Sequence, residues 1–198
     1  MISFPADVIE NLAGIAPGSP LHAIRDGRMQ ARENAQNSFL ALFGTAETAD
    51  MSRDERFAVA AFVSALHGDA RAAAFYAGHL PAGLAVAVAS EAARGAGRGP
   101  YGVYPSAALA AENVPGPGYT VSMENGSMLG GKLGAALEHA HMLAFHPRDA
   151  DASALQKLLD AGWSTTGIVT FSQLVAFLSF QLRAVAGLRA LAAAGGGA

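Results

Sequence analysis

The sequence contains no cysteine among its 198 residues. This absence excludes disulfide bonds, thiolate metal ligands and every reaction that needs a redox-active or nucleophilic thiol. It also removes cysteine usage as a guide to the compartment in which the protein works.

Charged residues are scarce as well, at 15% of the chain, whereas 52% of the residues are apolar. Alanine and leucine, rather than β-branched residues, supply most of this apolar content, which favours tightly packed helices with large buried interfaces. We therefore expect a homo-oligomer. The net charge is −3, and the thirteen Lys and Arg residues are scattered along the chain. Because they form no basic patch, we expect no nucleic-acid partner.

The N-terminus lacks a positively charged segment followed by an apolar one, the pattern of a secretory signal. No uninterrupted apolar run reaches the roughly 18–20 residues that a membrane span requires. We therefore expect a soluble, cytoplasmic protein that does not insert into a membrane.

Helix start and stop signals recur along the chain, and the alternation typical of β-strands is rare. Ser19, Ser52, Asp69 and Ser164 are placed to cap helices, and glycine or proline follows several apolar segments. The predicted helices are 20–43 with a break at Gly27, 53–67, 70–79, 82–94, 128–145, 152–161 and 165–193.

We predict a single all-α domain over residues 1–198, in four consecutive parts. These are the N-terminal helices (1–44), a segment with candidate chemistry (51–94), a long Gly/Pro-rich loop (95–127) and a second helical half (128–193). The loop is unusually long for a compact domain and carries three tyrosines. We expect it to be ordered by contact with another subunit or by closing over a pocket between helices 53–67 and 70–79, rather than to be a free linker.

The first group of candidate site residues lies between positions 55 and 76. Asp69 is either the N-cap of the helix that follows or an ionised base. His67 either bonds the last carbonyls of its helix or acts as an acid–base partner of Asp69 or Glu55. Tyr76 either packs in the core or donates a hydrogen bond to a developing oxyanion.

A second group contains Glu138, His139, His141 and His146. On an unbroken helix His139 and His141 lie about 160° apart, so they do not chelate one ion. His139 and His146 share a face but are about 10 Å apart along the axis. We expect no metal and no cofactor, and we interpret the histidines as a solvated or interface-lining pair.

The segment MSRDERFAVAAFVSALHGDARAAAFYAGHL, residues 51–80, resembles the active-site segment of the alkylhydroperoxidase D / carboxymuconolactone decarboxylase family. In that family a Cys-x-x-Cys-x-x-x-His motif follows a long helix. Here the two cysteine positions hold Asp69 and Ala72, and the histidine position holds Tyr76. The position of the relay glutamate holds Phe57, with Glu55 as the nearest carboxylate. The segment DASALQKLLDAGWSTTGIVTFSQLVAFLSFQLRAVAGLRAL extends the resemblance, which covers about residues 40–195.

The resemblance implies the family's helical core without its thiol peroxidase chemistry, because all four reactive positions differ. One hypothesis is a non-catalytic partner of an active relative. The alternatives are a decarboxylase-like acid–base enzyme for a small carboxylated or lactone substrate, or a small-molecule binding module. The enzyme would use His67, Asp69, Glu55, Tyr76 or the histidines at 139 and 141. Arg53, Arg56 and Arg71 would be the cations near a bound carboxylate.

Overall fold

The computed structural model describes residues 3–46 and 48–195. Within these ranges every extended regular element is helical, and β-structure is limited to one isolated bridge between Gly102 and Val114. The predicted all-α class is therefore confirmed. The α-helices are α1 (Val8–Ala13), α2 (Pro20–Asp26), α3 (Met29–Phe43), α4 (Arg53–Leu66), α5 (Ala70–Ala77), α6 (Ala82–Arg94), α7 (Met123–Phe145), α8 (Ala152–Asp160) and α9 (Thr165–Gly195), with short 3₁₀ helices at Ala107–Glu112 and Pro147–Asp149.

Two compact units can be distinguished by their internal contacts. The first contains the described residues up to Thr48 together with those from Ala176 onward, and the second contains Ala49–Val175. In the first unit α1 and α2 both contact α3, and in the second unit α4 contacts α5, α6 and α7. The expectation that the chain forms a single domain stays a prediction.

Helix α4 is the centre of the second unit, as its apolar residues predict. Ser52 and Glu55 form a reciprocal capping box at its first turn, which fixes the predicted start at Arg53. Nearly the whole circumference is buried, and Phe57 and Phe62 are completely inaccessible to solvent. A helix that is apolar on all sides is stabilised only when other elements surround it.

Helix α7 begins earlier than predicted. It starts at Met123, not at residue 128, because the Ser122 hydroxyl accepts a hydrogen bond from the backbone N–H of Asn125 at 3.2 Å and caps the first turn. The helix is interrupted at Gly130, whose φ of 69° and ψ of 164° are not helical. Glycine adopts this conformation at little steric cost, so the chain kinks there.

The irregular segment between α6 and α7 is consequently shorter than the predicted loop 95–127, since its last residues belong to α7. The segment is held against both neighbouring helices. Arg94 of α6 donates to the carbonyl oxygen of Thr120 at 3.3 Å, and Glu138 of α7 accepts from the N–H of Val121 at 3.0 Å. It therefore forms part of the wall of the second unit.

Helix α9 is the longest helix, with 31 residues. By length and composition it is apolar enough to cross a membrane. An 18-residue stretch within it has a mean hydropathy of 1.5, and 44% of that stretch is buried within the protein. Residues up to Val175 belong to the second unit and those from Ala176 to the first.

Candidate functional site

A cavity of about 230 Å³ in the second unit is lined by two of the candidate residues from the sequence, Glu138 and His139. Helix α7 contributes four lining residues at the spacing i, i+3, i+4 and i+7, which places them on one helical face. The residues are Ala135, Glu138, His139 and Met142 from α7, Ala154 and Lys157 from α8, and Tyr119 and Thr120 from the irregular segment.

His139 is the titratable group most deeply placed in this wall. Its side chain is 8% exposed, and its ring meets Phe171 edge-on at a centroid distance of 5.7 Å. Burial lowers the pKa of His139 below its ordinary value of 6.5, while a hydrogen bond to the backbone of Ala154 acts in the opposite direction. The imidazole is therefore neutral at pH 7 and able to accept a proton.

Two charged residues of opposite sign line the same cavity as this histidine. Glu138 precedes it on α7 and accepts the hydrogen bond from Val121. Lys157 lies on α8 and is exposed, and its ammonium group has no ion pair or hydrogen bond within residues 3–46 and 48–195. The cavity thus combines a neutral base with a cation that is available to an anionic ligand.

A buried carboxylate behind the cavity fixes the position of Tyr119. Glu91 of α6 is completely buried and accepts hydrogen bonds from the hydroxyl of Tyr119 at 2.7 Å, from the side-chain amide of Asn125 at 2.8 Å and from Ser122. Arg94 forms an ion pair with it at 2.7 Å. Burial by itself raises the pKa of Glu91, but these hydrogen bonds outweigh it and lower the pKa to about 2.

The other two histidines of the predicted cluster do not line the cavity. His141 is 4% exposed, lies within 3.0 Å of the carbonyl oxygen of Gly95 and stacks on Tyr119. His146 ends α7, within 3.1 Å of Asp149 and of the Pro117 carbonyl oxygen. Of the two alternatives for 139 and 141, a solvated pair is wrong, because the residues are only 8% and 4% exposed. An interface-lining pair stays a prediction. Across the described ranges no three His, Asp or Glu residues are placed to hold a metal ion together.

Glu55 performs two structural tasks in the second unit. It accepts a hydrogen bond from the backbone N–H of Ser52 at 2.7 Å, and it forms an ion pair with Lys132 at 2.9 Å. Lys132 lies over the ring of Trp163 at 4.3 Å. Glu55 and His67 are at opposite ends of α4, about 18 Å apart along its axis. They are therefore too far apart to act as direct partners.

The remaining candidates lie around the junction of α4 and α5. His67 is the exposed C-cap of α4, and Asp69 is the N-cap of α5, where its carboxylate accepts from the N–H of Ala72 at 3.0 Å. Tyr76 is completely buried and meets Phe75 edge-on at 5.1 Å. A catalytic role for these residues stays a prediction.

No protein-family model matches the sequence. No curated protein sequence and no solved structure matches it either. The resemblance of residues 51–80 to the alkylhydroperoxidase D / carboxymuconolactone decarboxylase family therefore stays a prediction.

His139 was a candidate from the sequence, but Lys157, the cation that lines the same cavity, was not. Lys157 is eighteen residues further along the chain, on a separate helix. One signal was present in the sequence. Lys157 and Ala154 share a face of the short helix α8, whose strongly amphipathic pattern includes the buried Leu158. The pattern indicates that α8 packs on a neighbour, but it does not indicate which helix that neighbour is.

Proposed function

We propose that the protein binds a small carboxylated or lactone compound in the cavity of the second unit and exchanges a proton with it through His139. The observation that carries this proposal is the neutral His139 in the same cavity wall as the unpaired Lys157. A neutral imidazole has the protonation state that a general base needs, and an ammonium group attracts a carboxylate.

The dimensions of the cavity support a small ligand. Its volume of about 230 Å³ is below the roughly 300–1,000 Å³ typical of sites for drug-sized molecules. The lining also includes Met142 and Ala135, which offer apolar contact for a short carbon skeleton. Levulinate fits these requirements as a probe, because it has a carboxylate and also carbon-bound protons next to a ketone.

The binding part of the proposal is tested by isothermal titration calorimetry with levulinate and with the neutral lactone γ-valerolactone. We expect Lys157→Gln to weaken levulinate binding about tenfold and to leave lactone binding unchanged, because only the carboxylate uses the ammonium group. Arg98→Gln, which removes an exposed cation elsewhere in the second unit, is the matched control. Equal binding of levulinate by all three proteins would contradict the assignment of Lys157.

The proton-transfer part is tested by following deuterium exchange next to the ketone of levulinate in D₂O. We expect exchange above the buffer rate in the natural protein and a loss of at least about a hundredfold in His139→Gln, with levulinate binding retained. Binding without exchange would refute the enzyme and leave the small-molecule binding module.

A second function, as a non-catalytic partner subunit, is favoured by the contacts of the segment that resembles the family. We propose that residues 51–80 are structural, because Glu55 completes a capping box, Asp69 caps α5 and Tyr76 packs in the core. On this account Glu55→Gln and Asp69→Asn leave levulinate binding and exchange unchanged. A loss of exchange in either variant, with the fold intact by circular dichroism, would show that the segment takes part in the chemistry.

A further inference from the structure

An apolar groove of about 380 Å³ lies in the first unit, whereas the cavity lined by His139 belongs to the second unit. One wall is a stripe on α9 at the spacing i, i+4, i+7, i+8 and i+11, which is a single helical face. The stripe consists of Phe180, Ala184, Gly187, Leu188 and Leu191. It extends for about 16 Å along the helix axis.

Large apolar side chains of this groove are open to solvent. Ile24 is 52% exposed, Phe180 is 50% exposed and Leu191 is 47% exposed. Contiguous exposed apolar surface of this kind is typical of a binding surface rather than of an ordinary helix exterior. The groove therefore has the character of a site for an elongated apolar group.

The charges at the groove are all positive, because Arg25, Arg28 and Arg32 line it and no Asp or Glu does. Two of these cations are already neutralised. Arg25 pairs with Asp7 at 2.7 Å and Arg32 pairs with the same carboxylate at 2.8 Å. Both also pair with Glu10.

Arg28 differs from the other two arginines. Its side chain is exposed and forms no ion pair or hydrogen bond with any other residue that the structure describes. Asp26, two positions earlier, is engaged by Arg32 and by His22 instead. The groove consequently has one guanidinium available to an anion.

We propose that this groove binds a free single-chain alkyl carboxylate, with the chain along the α9 stripe and the carboxylate on Arg28. The length agrees with this occupant. A bilayer hydrocarbon core is about 30 Å thick, so one acyl chain covers about 15 Å, close to the length of the stripe. The charge agrees as well, because a guanidinium binds a carboxylate through two parallel hydrogen bonds. This proposal does not depend on the function proposed for the second unit.

The proposal is tested with the full chain by calorimetric titration of decanoate, decanol and decyltrimethylammonium, which share one tail and differ in head-group charge. We expect decanoate to bind at least about tenfold more tightly than the other two, because only its head group pairs with Arg28. We expect Arg28→Gln to abolish that preference. Arg183→Gln, which removes an exposed cation on α9 that does not line the groove, is expected to retain it.

A second variant tests the α9 wall without removing any contact. A Cβ added at Gly187 meets no atom within 4 Å, so Gly187→Leu introduces a side chain into the groove from an open backbone position and also raises helix propensity. We expect it to weaken decanoate binding about tenfold or more. Ala186→Leu, on an exposed position outside the groove, is expected to bind as the natural protein does.

Three results would overturn the proposal. They are equal affinity for decanoate and decyltrimethylammonium, unchanged decanoate binding in Gly187→Leu with its helical circular dichroism intact, and unchanged head-group preference in Arg28→Gln. Vesicles of phosphatidylglycerol distinguish the free carboxylate from a membrane surface. Co-sedimentation with vesicles in the absence of decanoate binding would show that the groove recognises lipid headgroups instead.

Discussion

Asp69 is the residue at which a helix-capping role and a role that needs its negative charge are most simply distinguished. Its carboxylate accepts the hydrogen bond from Ala72 N–H that an N-cap provides. We expect Asp69→Ala to lower the free energy of unfolding by about 1 kcal/mol, and Asp69→Asn or Asp69→Ser to lower it by much less. Urea denaturation measures all three. A similar loss in all three variants would show that the negative charge, rather than the cap, is what the site requires.

A second residue, Glu91, is expected to make a contribution to stability that depends on pH. Its pKa is lowered from 4.5 to about 2 in the folded protein. A carboxylate with a lowered folded pKa contributes stability that is present above its unfolded pKa and is lost as the pH falls through the folded pKa. The contribution of Glu91 is therefore complete above about pH 5 and disappears between pH 4.5 and 2.

We expect Glu91→Gln to lower the free energy of unfolding at pH 7 by an amount on the order of 3 kcal/mol. We also expect it to flatten the acid limb of the stability curve. Glu112→Gln is the matched control, because Glu112 is an exposed glutamate in the irregular segment that follows α6. Thermal unfolding from pH 7 to 3 measures both variants. An unchanged acid limb in Glu91→Gln would contradict the buried network.

At the level of elements, helix α7 contains two glycines whose replacement by alanine is expected to change stability in opposite directions. Gly130 has a φ of 69°, which a residue with a Cβ adopts at a cost of about 1–2 kcal/mol. Gly126 has helical geometry with no atom within 4 Å of an added Cβ, so alanine there stabilises the helix by about 0.5–1 kcal/mol. Calorimetric melting of Gly130→Ala and Gly126→Ala distinguishes them. Equal effects would mean that α7 is not kinked at Gly130.

Several helix boundaries were predictable because the signals that set them are local. A cap such as Ser52 acts on a backbone group three residues away, so the sequence contains both partners in one short segment. The start of α7 was not predicted, because Gly126 was interpreted as part of the Gly/Pro-rich loop 95–127, although Ser122 caps the helix. The site was predictable only in part, since Lys157 and His139 come to line one cavity through the packing of α8 against α7.

At the scale of the whole molecule, the exposed apolar surface of α9 bears on the expected homo-oligomer. Val169 on this helix is 57% exposed. Phe177 is only 9% exposed, so its replacement by a charged residue would report on folding rather than on assembly.

We expect light scattering at micromolar concentration to give at least a dimer, and Val169→Glu to weaken it because a charge then enters an apolar contact. Ala111→Glu, at an exposed position outside α9, is the control that adds the same charge. A monomeric natural protein would contradict the oligomer.

The central claim is that a neutral His139 meets a small carboxylated ligand in the cavity of the second unit. The most direct measurement is an NMR titration of the His139 imidazole, with and without saturating levulinate, assigned by comparison with His139→Gln. The account predicts a pKa below 6.5 in the free protein, because burial disfavours the charged ring. It predicts a higher pKa with levulinate, because a nearby carboxylate stabilises the imidazolium. A pKa that levulinate does not change would contradict it.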